Sequence, residues 1–508
     1  MIAHPMEYVI GIDIGTTHCK SVALTVGGHL LQQLQGGYPT IQQADGQSEQ
    51  EPEVIFSRVI ELLQKTISGQ KREHELKAIS FSSAMHSIFP VDRSGIPLTN
   101  AFTWADTRSE PFARQLLNNG IQKELYPAIG VPLHPMLPLC KILWIAHSMP
   151  TIFSLAKKFI SIKEYVFFKF FGKYLVDYSI ASASGLFDIN QLQWNDKALR
   201  IAGIDSNRLS TVVPTTHAET GIKEEYRQLL GVSSKVQFII GGSDGCLANI
   251  GSGALAEGEG AVTIGTSGAV RIVTSQSNPD PLERLFNYVV NKNFFVCGGP
   301  VNNGGIVVKW FSENFLNRRF ESSSDFNWFL EDAASVEPGA NGLLFLPYLL
   351  GERAPYWDAN LRASFIGLEM GHRREHMMRA VVEGVCYGLY SVMKATENSY
   401  GEIHTLYASG GFTQSKQWLQ ILSDIFNKKI IVTGEADASA LGAAIIGLHA
   451  TGLLNDLRKA KDLVSTSAIF EPNVAKNKVY KECFEIFESI TPKIQDSMHA
   501  LQSVGSGK

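Results

Sequence analysis

The chain has 508 residues, 44% of them hydrophobic, with 45 basic and 49 acidic residues and a formal net charge of −4. These charges are well mixed, which excludes a basic face for nucleic-acid phosphates or an anionic membrane, so any nucleotide bound here is small. The length suits soluble globular domains with large cores, and six scattered cysteines without a CxxC pair indicate neither a disulfide framework nor a zinc site, so a reducing cytoplasm fits best.

Residues 1–7 lack the basic-then-apolar order of a secretory signal. The first ordered element is a strand, corner and strand from Tyr8 to Leu24, with β-branched apolar runs on either side of Gly15-Thr16-Thr17. Asp13 ends the first run, where a buried strand has no structural use for a charge. It is either a solvated aspartate at the mouth of an ordinary hairpin or a carboxylate that helps the turn hold a phosphate and its metal ion. Pro52 to Ile67 has helical spacing with acids near its start and is expected to cover the sheet. Leu76 to Ser83 reads as the next strand and places Met85 and His86 at its end, where α/β proteins bind ligands.

If Phe102 to Arg108 is extended, its period of two puts Trp104, Asp106 and Arg108 on one side. Such a face suits a polyol acid: the ring for the carbon chain, the Asp to accept from hydroxyls, the Arg for a carboxylate. The other reading is a surface salt bridge beside a core tryptophan. Residues 108–227 look like a helical elaboration forming one cleft wall, with helical patterns over Gln115 to Leu125, Leu139 to Ala146 and Phe153 to Phe170. Val236 to Ile240 is a buried strand that runs through glycines to Asp244 at the start of a small-residue helix. Asp244 is either that helix's N-cap or a carboxylate pointing into the cleft.

Half a chain length after the first hairpin, Gly260 to Val273 repeats the run, corner and run around Gly265-Thr266-Ser267. A glycine-opened helix follows at Gly304-Gly305, then an ordered polar loop from Gly351 to Asp358, a strongly patterned helix from Glu375 to Lys394, and a strand leading to Ser409-Gly410-Gly411 and a helix from Ser415. The strand Lys429 to Thr433 leads through Asp437 into a small-residue helix, Ser439 to Ala450, which repeats the Val236 to Gly253 pattern. Ala438 to Leu454 is the most apolar stretch, but polar residues and glycines interrupt it and it falls short of a membrane span of about 20 residues. Two small-residue helices crossing under a cleft form a hinge. The tail after about Gly452 reads as helical and polar, without identifiable chemistry.

With these residues in view, the chain resembles the FGGY family of carbohydrate kinases, within the actin-like ATPase superfamily. Asp13-Ile14-Gly15-Thr16-Thr17 with Lys20 is similar to the family's first phosphate motif, Gly265-Thr266-Ser267 to the second, and Ser409-Gly410-Gly411 with Ser415 to the adenosine motif. Ala363 to Leu368, followed by His376-Met377, Ala380-Val381-Val382 and Glu383, fits the C-terminal signature. Met136-Leu137-Pro138 with Lys141 and Trp144 fits the N-terminal one until His147-Ser148 departs from its usual polar pair. Ser82 to Ser87, Trp104 to Ser109 and His134-Pro135-Met136 look like members acting on gluconate more than on glycerol or xylulose. Xylulose kinases commonly carry an amide-bearing residue where this chain has Gly245.

The resemblance implies an α/β fold of two actin-like (ribonuclease H-like) ATPase domains with a cleft between them, 1–253 binding the sugar and 254–508 the nucleotide. It implies ATP and Mg2+ as cofactors. Gly15, Thr16, Thr17, Lys20, Gly265, Thr266 and Ser267 would meet the phosphates; Gly305, Lys309, Gly410, Gly411 and Ser415 the adenosine; and Asp13 the metal. Met85, His86, Trp104, Asp106, Arg108 and Asp244 would meet the substrate, with Asp244 as the base. The expected reaction is phosphorylation of a sugar acid, foremost D-gluconate, without nucleic-acid or membrane partners and with a homodimer left open. The rivals are a kinase for another polyol or ketose, such as xylulose or glycerol, and an actin- or chaperone-like ATPase without a sugar.

Overall fold

The computed structural model describes residues 6–505 except positions 44, 72, 321, 322 and 435; residues 1–5 of the N-terminal stretch read above lie outside them. The opening run forms β1 (Met6–Ile14), which turns through Gly15-Thr16-Thr17 into β2 (His18–Thr25) and then β3 (Leu30–Gly37). Helix α1 (Pro52–Ser68) begins on a proline with Glu53 in its first turn, as suits a helix N-terminus. It leads to β4 (His74–Ser83), and β5 (Gln237–Ser243) joins after the elaboration. Starting from a short edge strand, Ala218–Glu219, the sheet runs β5-β4-β1-β2-β3, with β1, β4 and β5 parallel and both hairpin pairs antiparallel.

The second half repeats this order. β6 (Glu259–Ile264) turns through Gly265-Thr266-Ser267 into β7 (Gly268–Thr274), followed by β8 (Phe294–Val301), β9 (Thr405–Ser409) and β10 (Lys429–Thr433). Between the edge strands Phe286–Asn291 and Thr466–Phe470 the sheet runs β8-β7-β6-β9-β10. β6, β9 and β10 are parallel, and the hairpin pairs antiparallel. The hairpins themselves close differently, Ile14 opposite Cys19 and Ile264 opposite Gly268, so the duplication holds for the strand order while the first corner is one residue longer.

Helix α2 (Asp244–Gly251) follows β5, and helix α6 (Ala438–Ala450) follows β10. Between them in the chain lie α3 (Gly305–Phe315), α4 (Arg374–Tyr400) and α5 (Lys416–Phe426), and α7 (Val474–Gly505) closes the described chain. Alternation splits β1 between two cores. Tyr8, Ile10 and Ile12 join the Ile55, Phe56 and Val59 face of α1, while Val9 joins Ala440, Ala443 and Ala444 of α6. Helix α6 thus comes from the far end of the chain to cover the first sheet, and α2 crosses it. Small residues make the crossing possible. A Cβ on Gly442 would stand 1.9 Å from Leu247 O, one on Gly251 1.9 Å from Ala438 O, and one on Gly11 1.9 Å from Ala440 O.

Three expectations change. Gln115 to Leu125 is two helices, Glu110–Asn118 and Ile121–Ile129, separated by Gly120 in a left-handed conformation (φ 72°). Phe153 to Phe170 is broken by the strand Lys158–Ile160, which pairs with Phe89–Val91. The tail is helical as expected, but Tyr480, Phe484 and Phe487 on α7 are buried, with Phe487 5.4 Å from the Tyr387 ring of α4. Among the described residues no helix is long and apolar enough to cross a membrane.

Candidate active site

The two Gly-Thr corners are closed by turns of different size. Gly15 N–H donates to His18 O (3.1 Å), and Gly265 N–H donates to Ser267 O (2.8 Å). The second corner is further held by the start of α3, where Gly305 N–H donates to Gly265 O (2.8 Å) and Ile306 N–H to Thr266 O (3.2 Å). A Cβ on Gly305 would lie 2.9 Å from that carbonyl, so the glycine lets the helix abut the corner. Gly265 itself has open space around its Cα.

Asp13 is buried at the end of β1, directly opposite Lys20 on β2. Its Oδ1 accepts from Ser82 Oγ at 2.6 Å. Burial, reinforced by the carboxylates of Asp437 and Asp244, pushes its pKa up to about 8. Lys20 Nζ pairs with Asp437 Oδ2 at 2.6 Å, and Asp437 also caps α6 by accepting from Ala440 N–H (3.0 Å). Asp437 stands after a strand and before a small-residue helix, the position that Asp244 holds in the first half. Among the described residues no group of three or more ligating side chains could by itself hold a metal ion. Asp13 nevertheless fits a cation, being a buried carboxylate raised by two neighbouring acids.

Asp244 opens α2 with its carboxyl half-buried, Oδ1 accepting from Gly245 N–H at 2.8 Å. The protein packed around it raises its pKa, and the guanidinium of Arg271 opposes that shift. A carboxylate raised by its surroundings but held by one cation is suited to take a proton from a hydroxyl. Ser439 at the start of α6 donates its hydroxyl to Asp244 O (3.2 Å), so the two small-residue helices also meet at the base.

His86 is buried with φ 66°, its Nδ1 2.7 Å from Ala183 O and its Nε2 3.5 Å from Tyr288 OH. The carbonyl fixes the proton on Nδ1. Burial and the Lys141 cation depress its pKa to about 3, so the ring is neutral. Lys141 bridges His86 O (2.9 Å) and Thr103 O (2.6 Å), tying the two predicted acceptor segments together. Trp104 donates Nε1–H to Thr16 Oγ1 (3.0 Å) at the first corner, and the Arg353 guanidinium lies 5.1 Å from its ring centroid.

The predicted face of Trp104, Asp106 and Arg108 does not form, because Thr103 to Thr107 is a turn and the period of two lapses. Asp106 accepts from Ser48 N–H (2.9 Å) and binds Arg108 (2.7 Å). Arg108 also pairs with Glu49 (2.5 Å) and is sandwiched between the rings of Phe102 and Trp144, at 4.7 and 4.6 Å. Both side chains are therefore spent on structure. We expect Arg108→Ala to cost about 3 kcal/mol, as loss of one member of a largely buried ion-pair network does, with KM of the folded fraction unchanged. A raised KM with an unchanged melting temperature would return Arg108 to the acceptor site.

On the nucleotide side, Gly410 has φ 102° and lies against Ile264 O, while Gly411 has open space beside it. Lys309 on α3 is half-exposed, 3.8 Å from Glu313. Ser415 is buried and its hydroxyl caps α5, accepting from Trp418 N–H at 3.2 Å, so it shapes the corner rather than offering its hydroxyl to a ligand.

The family model described as FGGY family of carbohydrate kinases, N-terminal domain, matches residues 8–251, and the corresponding C-terminal model matches residues 260–451. The gluconokinase of Bacillus subtilis (strain 168) is 41% identical over 496 residues, covering 96% of each chain. Two solved proteins of Lactobacillus acidophilus superpose equally well. One is described as a gluconate kinase and the other as a ligand-bound xylulose kinase, each with a TM-score of 0.93 and 35% identity, covering 98% of this chain and 100% of its own.

Proposed function

Because the chain belongs to the FGGY family of carbohydrate kinases, and so transfers phosphate from ATP to a carbohydrate, we propose that its acceptor is D-gluconate and its product 6-phosphogluconate. The observation that carries the kinase reading is Asp244, a carboxylate that opens α2 at the end of β5, opposed by Arg271 of the second hairpin and near enough to Asp13 of the first to raise it. The choice of gluconate rests on the 41% identity to a gluconokinase, since the solved neighbours divide between gluconate and xylulose.

In this reading residues 1–253 bind the sugar and 254–508 the nucleotide, although α6 of the second half covers the first sheet. The phosphates lie against Gly15, Thr16, Thr17, Gly265, Thr266 and Ser267, and the adenosine near Gly305, Lys309 and Gly411. Lys20, oriented by Asp437, faces the phosphates. Asp13 would hold Mg2+ through water, and that ion, when bound, neutralises charge on the β and γ phosphates. Met85 and Trp104 flank the carbon chain, and the neutral His86 supplies a polar edge without a competing charge. Asp244 takes the proton of the attacking hydroxyl. Closure about the α2–α6 crossing excludes water, which would otherwise accept the phosphoryl group. The six unpaired cysteines suit a reducing cytoplasm.

The test is ADP release with and without a panel of sugars and sugar acids. We expect gluconate to give the largest kcat/KM; a larger value for xylulose reassigns the acceptor, and turnover indifferent to every sugar points to the ATPase alternative.

A further inference from the structure

Two arginines of the second half of the chain lie beside the acceptor residues, Arg271 near Gly245 and Arg353 over Trp104, and the mechanism above gives neither a ligand. Arg271 projects from β7, a buried strand with no structural use for a charge. Among the described residues it forms no ion pair, and its hydrogen bond to Thr263 Oγ1 is long, at 3.5 Å. Arg353 is 8% exposed and also lacks an ion pair among the described residues. Its Nη2 donates to Val301 O (3.0 Å), its guanidinium lies over Trp104, and its Nε is buried without a partner. The adjacent Glu352 carboxylate acts on its charge but makes no bond to its guanidinium. Glu352 accepts from Asn302 N–H, Arg353 N–H and Asn303 Nδ2 instead.

The two guanidinium groups feel one another's charge; Asp244 acts on Arg271 and Glu352 on Arg353, but neither acid closes to an ion pair among the described residues. Buried cations of this kind call for an anion, and guanidinium is the donor that binds a carboxylate through two parallel bonds. The glycine after Asp244 belongs to the same arrangement. A Cβ on Gly245 would lie 2.9 Å from Met85 Cε, 3.3 Å from Arg271 Nε and 3.6 Å from Arg271 Nη2. Any longer side chain at 245 would occupy the space that the guanidinium fills.

We propose that Arg271 and Arg353 receive the carboxylate of the sugar acid, and that Gly245 is the vacancy that lets Arg271 reach it. This rests on the sugar-acid reading and deepens it: an acid is chosen over an uncharged polyol or ketose by two unpaired cations rather than by Arg108.

The test compares D-gluconate with D-glucitol, which has the same chain with CH2OH in place of the carboxylate. For Arg271→Gln we expect KM for gluconate to rise about a hundredfold, the loss of a charge-assisted bidentate contact. Because Arg271 also faces the base Asp244, kcat should fall for both acceptors, and the proposal is read from KM, which should rise for gluconate and change little for glucitol. Arg271→Lys, which keeps charge but not the fork, should recover part of the loss. Gluconate affinity measured by calorimetry without nucleotide should fall in parallel. If Arg271→Gln is unstable by thermal melt, Gly245→Asn carries the same expectation.

An unchanged gluconate KM and affinity would overturn the proposal. So would an equal rise in KM for both acceptors, which would mean that Arg271 does not read the carboxylate. In either case wild-type turnover of gluconate would leave the sugar-acid reading standing. Wild-type enzyme that uses no sugar acid would remove both.

Discussion

Asp244→Asn is expected to reduce phosphoryl transfer by ~10²–10⁴-fold, the range that a positioned general base contributes, while ATP binding and the melting temperature persist. The substitution keeps the side chain's shape, and Oδ1 can still accept from Gly245 N–H as it does at 2.8 Å. What it removes is the proton acceptor and the charge opposite Arg271. Nucleotide contacts lie at the two corners and at Gly411, on other elements, so binding should survive. Equilibrium ATP binding beside single-turnover transfer separates the two effects, and near-normal transfer would place the base elsewhere.

The second large effect is on stability. Gly442→Ala is expected to cost about 3 kcal/mol, at the upper end for overpacking, because the new Cβ would stand 1.9 Å from Leu247 O and 2.6 Å from its carbonyl carbon. Those are backbone atoms of α2 and cannot rotate away, so the crossing helices must separate. Gly388→Ala is the matched comparison. It also lies within a helix, α4, but its Cβ would meet Pro347 Cγ at 3.6 Å, an ordinary contact. There the gain in helix propensity, about 1 kcal/mol, should raise the melting temperature. Equal effects at the two positions would mean that the α2–α6 crossing is not tightly constrained.

The duplicated hairpin was legible because its signal is local, two β-branched runs around a Gly-Thr corner, and the observed strand order repeats in both copies. The strand-to-Asp244 step was legible for the same reason. Asp106 and Arg108 misled because their common face depended on an extended backbone, and the turn at Thr103 to Thr107 removed the alternation. Arg271 could have been found: the reasoning that singled out Asp13, a charge inside an apolar strand, applies equally to Val270-Arg271-Ile272. Arg353, Tyr288 and His86 come from distant segments, and no spacing rule brings them together. The aromatic face of α7 was hidden by the polar residues around Tyr480, Phe484 and Phe487.

The cover that α6 provides for the first sheet also bears on biosynthesis. Val9, Val22, Ala78 and Ile239 pack against Ala440, Ala443, Ala444 and Ile445, so one face of a sheet made early stays bare until the ribosome has released residues near 450. The N-terminal half cannot complete its core while it is being made, and contacts of such long sequence separation form slowly. A nascent chain arrested before residue 438 should therefore be digested at sites within the first sheet that the finished chain protects, and should engage chaperones until α6 arrives.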